Sequence, residues 1–222
     1  MSYVITIDGP AGAGKSTVAK DVARRLGINY LDTGAIYRAI ALILYDSEVR
    51  PVDDYIMREA LSKVKIELRG KAVLVNDFDV TGEIRTPMVD ELASMYSAIP
   101  SVRKALLSLQ KEQEKHGSIV AEGRDVGSVV FPEARAKFFL TASPEARAKR
   151  RYSERVEKGN PADYDEILRS IIERDKNDST REVSPLTIPE GAIFLDTSDM
   201  TEQEAVQFIL DKVKEAISDE TK

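Results

Sequence analysis

A short glycine-rich segment near the start of the chain lies between a strand pattern and a helix pattern. Residues Gly9 to Ser16 have the sequence Gly-Pro-Ala-Gly-Ala-Gly-Lys-Ser, which fits the pattern G-x-x-x-x-G-K-[ST]. The apolar run Tyr3 to Ile7 precedes it, and apolar residues at the spacing of one helix face follow it as far as Leu26. A match in this position predicts a phosphate-binding loop, whereas the same residues elsewhere would be a weak signal.

The residue types of this loop suit a nucleoside triphosphate. Glycines let the backbone turn tightly, so that amide N–H groups and the helix N-terminus point at phosphate oxygens. Lys15 is expected to reach the β- and γ-phosphates, and the Ser16 hydroxyl to bind Mg²⁺. A glycine-rich turn without a ligand is the alternative, and it leaves the lysine unexplained. The predicted donor-binding residues are Gly9, Pro10, Ala11, Gly12, Ala13, Gly14, Lys15, Ser16 and Thr17.

The composition of the chain argues against several classes of protein. The 222 residues carry a net charge of −6, which argues against a general nucleic-acid or membrane-surface binder. There is no cysteine, so disulfides, thiolate catalysis and cysteine zinc sites are excluded. No apolar run approaches the roughly 20 residues that span a bilayer, and the first strand begins too early for a signal peptide. We therefore expect a cytoplasmic protein.

Apolar runs and helical patterns alternate along the chain. This alternation predicts an α/β fold with a parallel sheet of the phosphate-loop NTPase type and helices on both faces. Continuous apolar strands fit a sheet that is buried on both sides. Ser143 with Pro144, and Thr201 with Glu204, are predicted helix starts. The predicted core strands are Val4–Ile7, Ile119–Ala121, Lys137–Leu140 and Ala192–Leu195.

One stretch interrupts the alternation. Three short strand patterns, separated by Gly70 and by Asn76-Asp77, predict a small antiparallel β-meander. Two helices on either side of Pro100 are predicted to follow. The predicted strands are Lys65–Leu68, Ala72–Val75 and Phe78–Val80, and the predicted helices Pro87–Ala98 and Ser101–Lys115.

We therefore predict a single domain, 1–222, in three parts. The core comprises about 1–30, 117–145 and 183–222, an insert comprises about 31–116, and a helical lid comprises about 146–180. The segment Glu157–Pro161, with its Gly-Asn-Pro sequence, is a predicted hinge or tip of the lid. The polar residues from Ser218 to Lys222 are expected to fray.

A phosphate loop alone does not separate a kinase from a GTPase, a motor or a regulatory module. Asp79 to Gly82 fits D-x-x-G, and Asp175 to Asp178 resembles the guanine-binding N-K-x-D. We discount both, because Asp79 falls in the predicted meander and Asp175 stands where a guanine-binding protein has an amide or hydroxyl.

Arginines in the predicted lid point to phosphoryl transfer. Arg147, Arg151 and Arg155 recur every four residues and share one helix face, with Arg150 beside them. A solvated charged face is the alternative explanation. Within a lid, such arginines stabilise the negative charge that spreads over a transferring phosphoryl group. We predict Arg151 and Arg155 as catalytic residues.

Several segments beyond the phosphate loop have distinctive sequences. The Gly-Arg-Asp turn at Gly123–Asp125 and the Glu-Arg-Asp block at Glu173–Asp175 are more specific than the phosphate loop. The full set of segments is Gly9–Thr17, Leu31–Arg38, Gly82–Thr86, Glu122–Gly127, Val130–Pro132 and Glu173–Asp175, followed by Arg181 and Pro185-Leu186. In these segments the chain resembles the bacterial-type cytidylate kinases, within the nucleoside monophosphate kinases, nearly from end to end. The β-meander also fits, because this subfamily has an enlarged monophosphate-binding insert.

The resemblance implies acceptor-site roles for particular residues. Arg38 and Arg124 match residues that hold the acceptor phosphate, and Thr33 occupies a hydroxyl position where many relatives have serine. Ser94 and Arg103 match residues that contact the cytosine ring, and Asp125 matches a neighbour in that pocket. Residues matching positions near the ribose and phosphates are Arg174, Asp178 and Arg181.

The implied reaction is in-line transfer of the γ-phosphoryl group of ATP to CMP or dCMP, with Mg²⁺, Lys15 and Arg124 as catalytic groups. No strong base is needed, so we do not expect His116 to be catalytic. Two alternatives stay open: a kinase of the same fold with UMP, AMP or a small alcohol as acceptor, and a nucleotide-dependent switch without transferase activity. The resemblance suggests a monomer, and the net charge of −6 argues against a nucleic-acid or membrane partner.

Overall fold

The fold was obtained as a computed structural model, which describes residues 2–157 and 159–218. Strands and helices alternate through most of it. The strands are β1 (Val4–Asp8), β2 (Asn29–Asp32), β3 (Ile66–Arg69), β4 (Ala72–Val75), β5 (Phe78–Asp79), β6 (Ile119–Gly123), β7 (Ala136–Thr141) and β8 (Ile193–Asp196). The helices are α1 (Lys15–Leu26), α2 (Thr33–Asp46), α3 (Tyr55–Ser62), α4 (Pro87–Tyr96), α5 (Pro100–Glu112), α6 (Pro144–Glu157), α7 (Tyr164–Thr180) and α8 (Glu202–Ser218).

The larger sheet has five strands in the order β2-β6-β1-β7-β8. Strand β1 lies at its centre and pairs in parallel with β6 and with β7, and β7 pairs in parallel with β8. The predicted α/β class and the four predicted core strands are confirmed. In parallel strands the carboxyl ends lie at one edge, so the loops that follow β1, β6 and β7 leave the sheet together.

Strand β2 was missed from the sequence. Its residues, Asn-Tyr-Leu-Asp, contain one buried side chain, that of Leu31, and lack a continuous apolar run. It lies at the edge of the sheet, where a strand is buried less completely. The apolar-run criterion found the other edge strand, β8, because Ile193–Leu195 is continuously apolar, and it misses β2, where only Tyr30 and Leu31 are apolar.

The smaller sheet has three strands in the order β3-β4-β5 and is antiparallel. Gly70 has φ +62°, and Asn76 and Asp77 have φ +49° and +68°. Positive φ at both central residues is the geometry of a two-residue hairpin turn, which Asn and Asp tolerate. The predicted β-meander is therefore confirmed, with strand ends that differ by one residue.

Two predicted helix starts are present. The Ser143 hydroxyl accepts a hydrogen bond from the Ala146 N–H at 3.1 Å, and α6 begins at Pro144. Glu204 and Thr201 form the reciprocal capping box: the Thr201 N–H donates to Glu204 Oε2 at 2.8 Å, and the Glu204 N–H donates to Thr201 Oγ1 at 3.3 Å.

The main core lies between the larger sheet and helices α1 and α8. Ile5 and Ile7 of β1 and Phe138 of β7 are fully buried there, with Val22 of α1 and Ile209 of α8. Each such side chain contributes about 1.5 to 3 kcal/mol through burial. This packing fixes the ends of β1 and α1, and therefore the loop that joins them.

Two compact units make up the chain. The first unit comprises 1–31, 114–181 and 185–222, and the second comprises 32–113 and 182–184. The division into core, insert and lid stays a prediction. In the predicted hinge, Lys158 lies outside the described residues, and so do residues 219–222 of the predicted frayed end. In the part of the chain that the structure describes, no helix is both long and apolar enough to cross a bilayer.

Candidate functional site

The phosphate loop has a backbone that depends on glycine. Gly9, Gly12 and Gly14 have φ of +146°, +79° and +87°. At Gly9 a Cβ atom would lie 1.8 Å from the carbonyl oxygen of Leu140, closer than any real contact. Gly14 precedes the first residue of α1 in a left-handed conformation. The loop therefore turns sharply from β1 into α1, with the helix N-terminus at its end.

Lys15 is buried within this loop rather than extended into solvent. Its ammonium group donates a hydrogen bond to the carbonyl oxygen of Pro10 at 2.7 Å, and the residue is 6% exposed. Burial lowers the pKa of Lys15, and the charges of Arg124 and Arg174 lower it further against the opposing charge of Glu122. The positive charges of the lysine and these arginines therefore repel one another, and a bound anion would reduce this repulsion.

A cavity of about 490 Å³ opens beside the loop in the first unit. Its walls are the loop and the start of α1, residues Arg150, Arg151 and Glu154 of α6, and the segment from Thr197 to Ala205 after β8. Ser16 is exposed and lines this cavity. A hydroxyl oxygen beside solvent suits Mg²⁺, which takes oxygen ligands and retains several waters, so Ser16 fits the predicted role.

The arginines of the predicted lid differ in their surroundings. Arg147 is 2% exposed and donates to the carbonyl oxygens of Ala142 at 2.8 Å and Ala11 at 3.0 Å. Its guanidinium also forms two hydrogen bonds with Asp175, at 2.9 and 2.5 Å. Arg147 therefore ties α6 to α7 and to the phosphate loop, and its donors are engaged within the protein.

The other arginines of the predicted lid lie closer to the cavity or to solvent. Arg150 donates to the Thr197 carbonyl oxygen and, at 3.3 Å, to Thr197 Oγ1. Arg151 lines the cavity, and its Nε lies 3.3 Å from where a Cβ on Gly12 would be. Arg155 is half-buried one turn further along α6. Of the two predicted catalytic lid arginines, Arg151 lies beside the phosphate loop.

A cluster of opposite charges includes the turn after β6. Arg124 Nε donates to Asp178 Oδ2 at 2.9 Å. Arg181 Nη1 lies 4.0 Å from Asp178 Oδ1, and Arg181 Nη2 lies 3.8 Å from Asp125 Oδ1. Burial raises the pKa of Asp178, but the charges of Arg124, Arg174 and Arg181 outweigh it, and the net pKa is below its ordinary value. Five residues predicted by resemblance therefore influence one another here.

In the second unit, Asp32 holds two arginines. Its carboxylate binds Arg38 Nη2 at 3.1 Å and Arg85 Nη2 at 3.0 Å, and it caps α2 by accepting the Ala35 N–H at 2.8 Å. Arg38 Nη1 also lies 3.6 Å from Asp90 Oδ1. Burial raises the pKa of Asp32, but the charges of Arg38 and Arg85 outweigh it and lower the net pKa. Arg38 is thus oriented from two sides.

The predicted cytosine-binding residues lie on α4 and α5. Arg103 is 8% exposed, donates to the Ser97 carbonyl oxygen at 3.1 Å, and lies 5.3 Å from the centre of the Tyr37 ring. Ser94 is half-buried, and its carbonyl oxygen accepts the Ser97 hydroxyl at 3.0 Å. Thr33 is buried at the start of α2. Tyr37 is a neighbour of Arg103 that sequence reasoning missed.

Three residues discounted in the sequence make other contacts. Asp79 lies in the β-meander, where Oδ1 accepts the Thr81 N–H at 2.9 Å. Asp175 is the partner of Arg147. His116 is exposed at the end of a short 3₁₀ turn, and its carbonyl oxygen accepts the Asn29 side-chain amide at 3.2 Å.

The parallel sheet, the glycine-dependent loop and the buried lysine define a phosphate-loop kinase. A model of the cytidylate kinase family matches residues 5–215. The chain belongs to the cytidylate kinase family.

Known proteins that resemble the chain agree with this assignment. A cytidylate kinase of Fervidobacterium nodosum is 52% identical over 215 residues, covering 97% of this chain and 98% of the relative. A cytidylate kinase of Caldanaerobacter subterraneus subsp. tengcongensis is 49% identical, covering 100% and 97%. The crystal structure of shikimate kinase from Bacteroides thetaiotaomicron has a TM-score of 0.51 at 15% identity, covering 96% of this chain and 99% of that chain, and so shares the fold.

Proposed function

We propose that the protein transfers the γ-phosphoryl group of ATP to CMP or dCMP, giving ADP and CDP or dCDP. The observation that carries the proposal is the buried position of Lys15 in the glycine-dependent loop. Burial lowers the pKa of Lys15, and the charges of Arg124 and Arg174 lower it further. A buried lysine that is influenced by the charges of two arginines, beside a glycine-dependent loop, favours binding of a polyanion that neutralises these charges. The choice of CMP or dCMP as acceptor in this proposal is based on the relatives named cytidylate kinase.

In the first unit, we assign the cavity beside the loop to the donor nucleotide. Loop amides and Lys15 bind its phosphates, and the Ser16 hydroxyl is the protein ligand for Mg²⁺. When bound, Mg²⁺ neutralises phosphate charge and aligns the donor. Arg151, and Arg155 one turn further along α6, stabilise the charge that spreads over the transferring group. Closure by these side chains excludes water, which would otherwise accept the phosphoryl group.

The acceptor contacts are assigned to named side chains. Arg38 and Arg124 bind the acceptor phosphate, and their carboxylate partners Asp32 and Asp178 orient them. Arg103 and Ser94 bind the cytosine ring, which offers a carbonyl and a ring nitrogen as acceptors beside an amino donor. We also assign acceptor contacts to Thr33, Asp125, Arg174, Asp178 and Arg181.

A coupled assay of ADP release tests the reaction. CMP, dCMP, UMP and AMP are offered in turn with Mg·ATP, beside a reaction without acceptor. We expect CMP and dCMP to give the fastest release. A preference for UMP or AMP would support another kinase of the same fold, and release no faster than without acceptor would support a nucleotide switch. Size-exclusion chromatography with light scattering tests the monomer proposed with this function.

A variant at Arg103 tests how the acceptor is recognised. Arg103→Ala is expected to lower kcat/KM for CMP by about 100-fold, because a charged hydrogen-bond donor to the base is lost. The dissociation constant of ATP should change by less than about twofold. Lys104→Ala, an exposed cation on the same helix, is the matched control. Equal losses for CMP and ATP would show that Arg103 serves the fold alone.

A further inference from the structure

Asp8 joins the strand before the phosphate loop to the turn that follows Arg124. It is the last residue of β1, immediately before Gly9, and it is 0% exposed. Its Oδ1 accepts the Val126 N–H at 2.8 Å, and its Oδ2 accepts the Gly127 N–H at 2.7 Å. Both oxygens of one buried carboxylate are therefore used to hold the backbone of a turn more than a hundred residues further along the chain.

The turn lies unusually close to β1. A Cβ atom on Gly127 would lie 2.6 Å from Thr6 Oγ1 and 3.1 Å from Asp8 Oδ2, both on β1. A glycine at this position therefore permits the approach that the two hydrogen bonds require. Asp8 also stands opposite Gly123 in the β1–β6 register, so the segment between Gly123 and Val126 is fixed at both ends.

The carboxylate is costly to keep in this position. Burial raises the pKa of Asp8 to about 6, and the charge of Asp125 raises it, whereas the two amide hydrogen bonds and the charge of Lys15 lower it. A buried ionisable group is often no more stabilising than an apolar side chain of similar size. The carboxylate instead fixes the orientation of the turn, because the N–H groups of Val126 and Gly127 must point at its oxygens.

The residues within the fixed segment are Arg124 and Asp125. Arg124 donates to Asp178, and its charge acts on Lys15. A shift of about 1 Å at a group that contacts a reacting phosphoryl is enough to lower a rate about 100-fold.

We propose that Asp8 is a positioning residue for phosphoryl transfer. Its carboxylate holds the turn so that Arg124 is fixed relative to the phosphate loop. The proposal rests on the proposed function, because it concerns the arginine assigned there to the acceptor phosphate. Asp8 itself contacts neither substrate.

A double-mutant cycle tests this role. Asp8→Asn keeps the shape of the side chain but places an amide NH₂ against one of the two backbone N–H groups. We expect it to lower kcat/KM for CMP by about 30-fold in the wild-type background and by less than about threefold in Arg124→Ala, because a positioning effect disappears with the group that it positions. Radiolabelled ATP makes the slower variants measurable.

The matched control is Thr6→Val, which changes a buried neighbour on the same strand. Its Oγ1 has no hydrogen-bond partner among the residues that the structure describes. This variant should stay within about twofold of wild type. Circular dichroism and urea unfolding accompany each variant. If Asp8→Asn does not fold, Gly127→Ala replaces it, because its Cβ would displace the same turn while Asp8 keeps its carboxylate.

The possible results distinguish a failure of the positioning role from a failure of the proposed function. A loss in the wild-type background that largely disappears in Arg124→Ala supports the proposal. Equal losses in both backgrounds, or no loss in either, overturn it and leave the proposed function intact. A wild-type protein that does not phosphorylate CMP overturns the proposed function, and the positioning role with it.

Discussion

Arg147 and Asp175 form a two-point ion pair between helices α6 and α7, with hydrogen bonds of 2.9 and 2.5 Å. The arginine side chain is 3% exposed, whereas the aspartate side chain is 27% exposed. The same guanidinium also donates to the Ala11 carbonyl oxygen in the phosphate loop. The pair therefore links the base of the predicted lid to the loop.

Loss of the aspartate charge should destabilise the protein. Asp175→Asn leaves a buried guanidinium without a compensating charge, so we expect the free energy of unfolding to fall by about 2 kcal/mol. For a chain of this size the melting temperature should fall by about 4 to 8 °C. Urea unfolding measures the change. Asp211→Asn, in an exposed hydrogen bond with Gln207, is the control and should stay within about 0.5 kcal/mol.

Gly9 should tolerate no side chain. A Cβ atom there would lie 1.8 Å from a backbone oxygen, and backbone cannot move aside as a flexible side chain does. Gly9→Ala is expected to lower the free energy of unfolding by about 4 kcal/mol or more. Gly70→Ala is the control, because Gly70 also has positive φ, at +62°. Apart from its two chain neighbours, no described residue has an atom within 4 Å of the added Cβ. This control substitution should cost about 1 to 2 kcal/mol. Equal effects would show that backbone conformation alone matters.

Lys15 should be needed for turnover and dispensable for folding. Lys15→Met removes the cation at the donor phosphates, so kcat is expected to fall by about 1,000-fold. Because burial lowers the pKa of Lys15, its charge opposes folding at neutral pH, and the variant should be as stable as wild type or more stable by about 1 kcal/mol. Lys20→Met, at an exposed lysine of the same helix, is the control. A large loss of stability in Lys15→Met would contradict this account.

Local chemistry made much of the fold predictable from the sequence. The helix starts at Ser143 and Thr201 depend on side chains three residues from the N–H groups that they bind. The hairpin turn at Asn76 depends on which residues tolerate positive φ. The central strands were found because they are buried on both faces and therefore continuously apolar.

Contacts between distant segments could not be predicted in the same way. Nothing near Asp8 in the sequence indicates that it binds Val126 and Gly127. The four-residue spacing of the arginines in the predicted lid does not show that Arg147 is buried against Asp175. In the second unit, Asp32 lies within the matching segment Leu31–Arg38, but only the fold shows that its carboxylate binds two arginines. Such partners depend on strand order and helix packing, which residue spacing does not encode.

Asp8 should make stability depend on pH in a direction opposite to that of most carboxylates. Its pKa is about 6 in the folded protein, against an ordinary value of 3.8, so the folded state holds the proton more tightly than the unfolded state. The stabilisation from this proton is full below pH 3.8 and is lost as the pH rises through about 6. At about 1.4 kcal/mol per pKa unit, the loss amounts to about 3 kcal/mol.

Comparison with Asp8→Asn isolates this contribution, because the amide does not titrate and the other carboxylates cancel in the difference. The free energy of unfolding of wild type minus that of Asp8→Asn should fall by about 3 kcal/mol between pH 3.5 and pH 7.5, with most of the change between about pH 4 and pH 6. Urea unfolding at half-unit intervals of pH measures it. A difference that is constant with pH would show that folding leaves the pKa of Asp8 unchanged. A difference that grows as the pH rises would show that the two amide hydrogen bonds outweigh the desolvation of the carboxylate.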